Sequence, residues 1–280
     1  KLLSHLKVGV INLLFDKNVV YAMRYVPNSS FVFKFDIITR TAGIIGQNAR
    51  AEFRGIGYWM GQNAFYFSNG ASIEEIPANT IKQYVFDRLT DTQQDKIFCG
   101  VVKKYSEIWW FYPSKDSENQ NGFNEIDSYV MYNTKEKAWS IGSLNRTSIE
   151  YPYQLDAYQY KISEDGDLYQ HEKGANDNEE ILPAYIETNY LQFDLTKRAE
   201  LSEVQPDSTQ TGDLEITVFT KERPQASAVR DVDFTIGEET EKANFRISGR
   251  QRKYRITSNV LNGDFQMGSW TERVALRGDR

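Results

Sequence analysis

Ile97 to Leu144 reads IFCGVVKKYSEIWWFYPSKDSENQNGFNEIDSYVMYNTKEKAWSIGSL, and its pattern decides the fold class. Four short runs, IFCGVVKK, IWWFYPS, SYVMYN and AWSIGSL, are rich in aromatic and β-branched residues and are separated by turn-forming segments. Such side chains fit a pleated, half-buried surface, so the stretch predicts one antiparallel meander. Adjacent residues on a strand point to opposite faces. Trp109 and Trp110 therefore cannot line one site, and their rings are expected to pack between neighbouring sheets. The segment Pro113 to Asp127 has only Phe123 and Ile126 as large apolar residues, which predicts an exposed, mobile loop.

Similar units lie on both sides. Upstream, 8–15 (VGVINLLF), 19–25 (VVYAMRY) and 31–38 (FVFKFDII) read as strands, with turns at Asp16-Lys17-Asn18 and Pro27 to Ser30. Ala51 to Met60 and Ala64 to Ser68 follow, then Asn69-Gly70, a strong hairpin signal because both residues tolerate positive φ. Helical spacing occurs once. After Pro77, Asn79 or Thr80 is placed to cap a helix with Ile81, Tyr84, Val85 and Leu89 on one face. Downstream, 157–162 and 167–171 flank the turn Ser163 to Gly166. GYWM at Gly57, EIWW at Glu107 and AYQY at Ala157 recur at about fifty residues, a period that marks propeller blades.

Lys173 to Glu180 (KGANDNEE) is polar and has no strand signal, so it reads as a linker. Beyond it, the runs 184–195, 214–220, 232–236, 244–248, 253–258 and 270–276 read as strands without a helix. The expected architecture is all-β: propeller-like antiparallel blades over 1–175, then a β-sandwich or barrel over 181–280.

Composition agrees with this class and excludes others. Seventeen Tyr, sixteen Phe and five Trp favour strands. Residues 1–100 carry 11 basic and 8 acidic side chains, 101–200 carry 10 and 18, and 201–280 carry 12 and 13. An acidic middle lacks the basic footprint of a general nucleic-acid binder. Cys99 is the one cysteine, so no internal disulfide can form. No apolar run reaches membrane-spanning length and no signal peptide is visible. Lys1 opens the chain without an initiator Met and its first residues read as folded sequence, so a processed product or part of something longer is expected.

Candidates for chemistry are few. His5 and His171 are far apart in sequence, with no His cluster or Cys-His pairing from which to build a zinc site or a triad. Cys99 lies in an apolar strand and reads as a small buried hydrophobe. Glu164, Asp165 and Asp167 offer oxygen ligands, but Asp165-Gly166 is first of all a turn. Trp109, Trp110, Phe111, Tyr112 and Trp139 could form a sugar-stacking platform, against which stands their role in a core. Arg246, Arg250, Arg252, Lys253 and Arg255 form the one basic cluster, readable as a solvated face or as an interface for phosphates or an acidic partner. Arg277-Gly278-Asp279 and the sequons at Asn28 and Asn145 are short matches read as chance.

In ordered blocks the chain resembles one family. The blocks are 46–61 (GQNARAEFRGIGYWMG), 64–70 (AFYFSNG), 76–89 (IPANTIKQYVFDRL), 95–114 (DKIFCGVVKKYSEIWWFYPS), 128–142 (SYVMYNTKEKAWSIG), 165–174 (DGDLYQHEKG) and 248–270 (SGRQRKYRITSNVLNGDFQMGSW). They are similar to the tail nozzle, or tail tubular, proteins of short-tailed bacteriophages, with a related tail hub or stabilisation protein as the near alternative. The resemblance implies a β-propeller-containing virion protein, made in the host bacterial cytoplasm, that assembles as a ring, usually a hexamer. It implies portal and adaptor proteins and tail fibres as partners, and DNA passing through without sequence-specific contact. It carries over no catalytic residue, metal or cofactor. The other reading is a propeller that binds or cleaves host-surface glycans, because fold alone does not separate these functions.

Overall fold

The computed structural model describes residues 1–28, 30–118, 124–150, 158–194, 196–227 and 229–277. Strand makes up 57% and helix 5%, which places the chain in the all-β class. It divides into two compact units, Lys1–Lys173 and Gly174–Arg280. No described helix is long and apolar enough to cross a membrane.

The first unit is a succession of antiparallel meanders. β1 (Ser4–Val8), β2 (Ile11–Phe15), β3 (Val20–Tyr25) and β4 (Phe33–Thr39) form the first sheet in chain order. The expected single run 8–15 is two strands, because Gly9 adopts φ 58° and turns the chain at Gly9-Val10. β5 (Arg50–Phe53), β6 (Ile56–Met60), β7 (Phe65–Ser68) and β8 (Ile73–Glu75) form the second sheet. The Asn69-Gly70 turn closes it, with Asn69 Oδ1 accepting from the backbone N–H groups of Ala71 and Ser72.

A helix, α1 (Asn79–Arg88), follows. Ala78, not Asn79 or Thr80, holds the cap position and makes no side-chain cap bond. The helix is held instead by burial of Val85 and Leu89 in the main core. β9 (Phe98–Val102), β10 (Glu107–Glu118), β11 (Asn124–Asn133) and β12 (Ala138–Ser143) form the third sheet, and β13 (Ser148–Glu150), β14 (Gln159–Ile162) and β15 (Leu168–His171) the fourth.

The expected loop 113–127 is largely strand. β10 and β11 run on past Tyr112, with register shifts on both sides of Pro113. Ser114 is fully buried, and its N–H and hydroxyl donate to the two carboxylate oxygens of Asp127 at 2.9 and 2.6 Å. Asn124 Nδ2 donates to the Ser114 carbonyl at 3.0 Å, while Asn124 Oδ1 accepts from the Thr90 hydroxyl at 2.9 Å. These polar side chains satisfy one another across the hairpin, which is what burial demands of them. Phe123 lies outside the described residues.

Successive sheets stack face to face. β1 lies against β5, β5 against β9, and β9 against β13, so the first strand of each meander meets the first strand of the next. Close approach needs glycine at two of these contacts. A Cβ on Gly57 would come within 2.8 Å of Leu6 and Val8, and one on Gly100 within 2.5 Å of Ile149. One core runs through the first three sheets, from Leu13 and Phe15 through Trp59 and Phe65 to Trp110 and Val130. A smaller one, with Phe98, Phe111 and Ile126, lies between the third and fourth.

In the second unit, the segment expected as a linker, 173–180, contributes to a short hairpin, β16 (Asn176–Asp177) with β17 (Glu180–Ile181). Of the remaining strands, β18 (Ala184–Glu187), β19 (Leu191–Gln192), β22 (Leu214–Lys221), β23 (Arg230–Ile236) and β25 (Gln251–Ser258) make one sheet. A second has the order β24 (Ala243–Gly249), β20 (Arg198–Gln205), β27 (Thr271–Arg277). β21 (Ser208–Thr211) pairs with β26 (Asp264–Met267). The two larger sheets share one core, in which Leu201, Val204 and Ile247 meet Ile216, Val218, Tyr254 and Ile256. Among the described residues no sheet closes into a barrel.

Candidate functional site

The aromatic run on β10 is split by the pleat. Trp110 is fully buried toward the second sheet, where its indole N–H donates to the Ala49 carbonyl at 3.2 Å and its ring meets Phe65 at 5.0 Å. Trp109 faces the fourth sheet, stacked on Tyr129 at 4.5 Å. Phe111 and Tyr112 are buried on opposite sides, and Trp139 packs on Phe65 with its N–H on the Pro77 carbonyl. The five rings that could have formed a sugar platform are divided among packing contacts within and between the sheets.

Between the third and fourth sheets lies a polar cluster that the sequence pattern did not reveal. Lys161 is 2% exposed, its Nζ 4.1 Å above the Trp109 ring and 5.3 Å from that of Phe111. Arg146, also buried, stacks on Tyr169 at 4.1 Å, and its Nε–H donates to His171 Nε2 at 3.0 Å. Burial pushes Lys161 down to about 8, with Glu172 and Glu107 opposing the shift and Arg146 adding to it. Burial, with Lys161 and Arg146 nearby, pushes His171 down to about 3. The imidazole is thus neutral and its acceptor nitrogen is used by Arg146. The arrangement packs two sheets together.

Each of these bases has a folded-state pKa below its unfolded value, so the unfolded chain binds the proton first as pH falls. For Lys161 the loss of stability begins near the ordinary 10.5 and is complete below about 8. For His171 it begins near 6.5 and is complete below about 3. Stability of the 1–173 unit is expected to rise with pH through both windows, and urea midpoints across the range check this. Lys161→Met should flatten the upper window and stabilise the protein near neutrality by about 1–3 kcal/mol, as when a buried charge gives way to an apolar group of similar size. Destabilisation by this substitution would mean that the ring contacts outweigh the desolvation.

The remaining candidates do not converge. His5 is exposed on β1. Cys99 is partly buried, and burial holds its thiol well above the usual range against the opposing charge of Arg50. Together with Ala51, Glu52, Gly100, Val101, Lys103 and Ile149 it lines a shallow open cavity of about 240 Å³ where three first strands meet. Glu164 to Asp167 lie in the turn joining β14 to β15, with Gly166 at φ 89°. No three metal-ligating side chains come together among the described residues. Asn28 sits in an exposed turn and Asn145 is partly buried, while Gly278 and Asp279 lie outside the described residues.

The basic cluster is largely matched by carboxylates. Arg246 and Arg277 both bind Glu200, Lys253 and Arg255 both bind Glu187, and Arg252 points inward to Glu272 at 3.1 Å. Arg250 is engaged as well. A face whose cations already hold partners is a poor phosphate surface.

The first sheet also presents an apolar surface. On β4, Phe33, Phe35 and Ile37 alternate with Lys34 and Asp36, and the register places Tyr25, Met23 and Tyr21 of β3 beside them. Alternation predicts that this apolar set is buried, yet Tyr25 is 66%, Phe33 47%, Phe35 58% and Ile37 45% exposed. An exposed apolar patch on an edge strand marks an interaction surface. No protein-family model matches the chain, and no curated protein matches it.

Proposed function

We propose that the chain is a structural protein of a bacteriophage tail, assembling as a ring that forms part of the channel through which DNA leaves the particle. In this reading the four stacked meanders are blades of a β-propeller, the second unit is a β-sandwich, and the protein works without a catalytic centre. One observation carries it: the buried Lys161, Arg146 and Arg252 and the partly buried His171 are engaged in internal contacts, while Tyr25, Phe33, Phe35 and Ile37 of the first sheet lie exposed on one apolar face. A protein so built acts by assembling. The resemblance to tail nozzle proteins supplies the setting, with portal and adaptor proteins above and tail fibres beside.

The charge distribution supports the conduit role. A channel that passes DNA without gripping it needs walls free of fixed positive charge, which would hold phosphates. Residues 101–200, with 10 basic and 18 acidic side chains, are suited to line it. A glycan-recognising reading would need its aromatic platform at the surface, and Trp110, Phe111 and Tyr112 are all buried. Negative-stain images of the purified chain with portal–adaptor complexes are expected to show rings with a central channel. Monomers alone, with and without those complexes, would overturn the reading.

A further inference from the structure

The seams between successive meanders are not built alike. At the first two, the second strand of a sheet sends an indole into the sheet before it. Trp59 meets Phe15 at 5.1 Å and Trp110 meets Phe65 at 5.0 Å, and their N–H groups donate to the carbonyls of Ala42 and Ala49. At the third seam the equivalent residue, on β14, is Lys161, over the Trp109 ring. The register sets Ile149, Lys161 and Tyr169 side by side on that face, with Gln159 and His171 as the next pair. Of these five, Ile149 alone is aliphatic. The apolar cluster at this seam is accordingly one-sided. Phe98, Trp109, Phe111, Ile126 and Tyr129 all belong to the third sheet, and Ile149 is what the fourth sheet adds to them.

Buried polar groups weaken the seam further. Lys161 is 2% exposed, and among the described residues its ammonium meets two ring faces and no hydrogen-bond acceptor. Gln159 is 5% exposed; its Nε2 donates to the Val101 carbonyl at 3.4 Å, and its Oε1 accepts from no described group. Asn145 Oδ1, where the chain enters the fourth sheet, is buried and unmatched in the same way. Such groups regain water when the seam parts, whereas the two indoles would lose both apolar contact and a hydrogen bond. The connection also offers a pivot. The Leu144 N–H holds the chain to the third sheet through the Asp127 carbonyl at 2.8 Å, and the Thr147 N–H holds it to the fourth through that of Ile162 at 2.8 Å. Asn145 and Arg146 lie between the two anchors.

We infer that the fourth sheet is a built-in opening element of the 1–173 unit, undocking from the third sheet about Asn145-Arg146 while the first three sheets stay closed, with the buried Lys161 ammonium as the group that loosens it. Cooperative local opening of one supersecondary unit ahead of the rest is the form such an event takes. The charged and titratable groups facing Lys161 are Glu107 at the head of β10, Tyr129 on β11, Arg146, and His171 and Glu172 at the end of β15. Burial holds His171 down at about 3 and raises Tyr129 above its ordinary 10, so neither titrates between pH 7 and 9. Lys161, at about 8 when closed and 10.5 when open, does. Its folded value is the lower one, so the closed seam gains stability as pH rises through that window.

Hydrogen exchange on the full chain, read by mass spectrometry and corrected for intrinsic rates, tests this. At pH 7 the amides of β14 and β15 are expected to open at least about tenfold more often than those of β6 and β10, and together. Between pH 7 and 9 that opening should fall about tenfold. Lys161→Met should reduce it about tenfold or more at pH 7 and abolish its pH dependence, leaving β6 and β10 as they were. A merely structural lysine would not give a pH dependence that disappears with it. Wild-type β14 and β15 amides protected as well as those of β10 would overturn the inference without any variant. So would an opening that does not change between pH 7 and 9, or one that Lys161→Met leaves unchanged or speeds up.

Discussion

Trp110→Ala is expected to destabilise the 1–173 unit by about 4 kcal/mol, within the range for truncating a fully buried aromatic side chain. The ring is sealed from solvent between the second and third sheets, against Phe65 at 5.0 Å and Trp139 at 6.2 Å. Truncation opens a void bounded by sheets whose own hydrogen bonds prevent collapse. It also removes the indole N–H donated to the Ala49 carbonyl at 3.2 Å, leaving that carbonyl only the Met60 N–H at 2.9 Å. Domains commonly have only about 5–15 kcal/mol in total, so this one change removes a large share. Denaturant unfolding measures it. Trp110→Phe separates the terms, because it keeps ring packing and loses the hydrogen bond, for about 1–2 kcal/mol. Trp109→Ala should cost less, since that ring is only partly buried. If Trp109→Ala proved the costlier of the two, the division of labour between the two faces of β10 would be wrong.

That division is legible in the sequence, because the pleat alone sends neighbouring residues to opposite faces. Turn chemistry was legible where glycine or asparagine marked it, as at Asn69-Gly70. It was hidden at Gly9-Val10, where the turn places a valine, 98% exposed, inside what reads as one apolar run. Polar composition misled at 113–127. Ser114, Asn124 and Asp127 look like loop residues until the hairpin brings them into mutual contact. β20 is hidden in the sequence for the opposite reason. Its Ala, Leu and Glu residues have weak strand propensity, and only pairing on both sides puts Ala199, Leu201 and Val204 inward. At the candidate site, alternation on β4 showed which side chains share a face. What covers that face is a property of the assembly, and no local pattern reports it.

Glu272→Gln is expected to cost the 174–280 unit about 3 kcal/mol, whereas removing both Glu272 and Arg252 should cost far less. Arg252 belongs to the basic cluster by sequence, but on β25 it shares the inward face with Tyr254 and Ile256. Its Nε–H contacts Glu272 at 3.1 Å and the Tyr254 hydroxyl at 3.0 Å, and its guanidinium lies 3.4 Å from the centre of the Phe193 ring. Glu272 also accepts from the Trp270 indole at 3.2 Å. The two side chains are 10% and 12% exposed, so both charges have lost most of their water. Neutralising the carboxylate leaves a guanidinium that cannot shed its proton and has no counter-charge. Replacing the pair together, as Arg252→Met with Glu272→Leu, removes both desolvation costs along with the attraction. Unfolding of the wild type, both single variants and the double variant gives a coupling energy, expected at about 2 kcal/mol or more for contacting buried charges. A single Glu272→Gln within experimental error of wild type would show that solvent still reaches Arg252. Its charge would then be available to a partner, as for a residue on the outer face of the cluster, and the inward ion pair would not be what orders this part of the second unit.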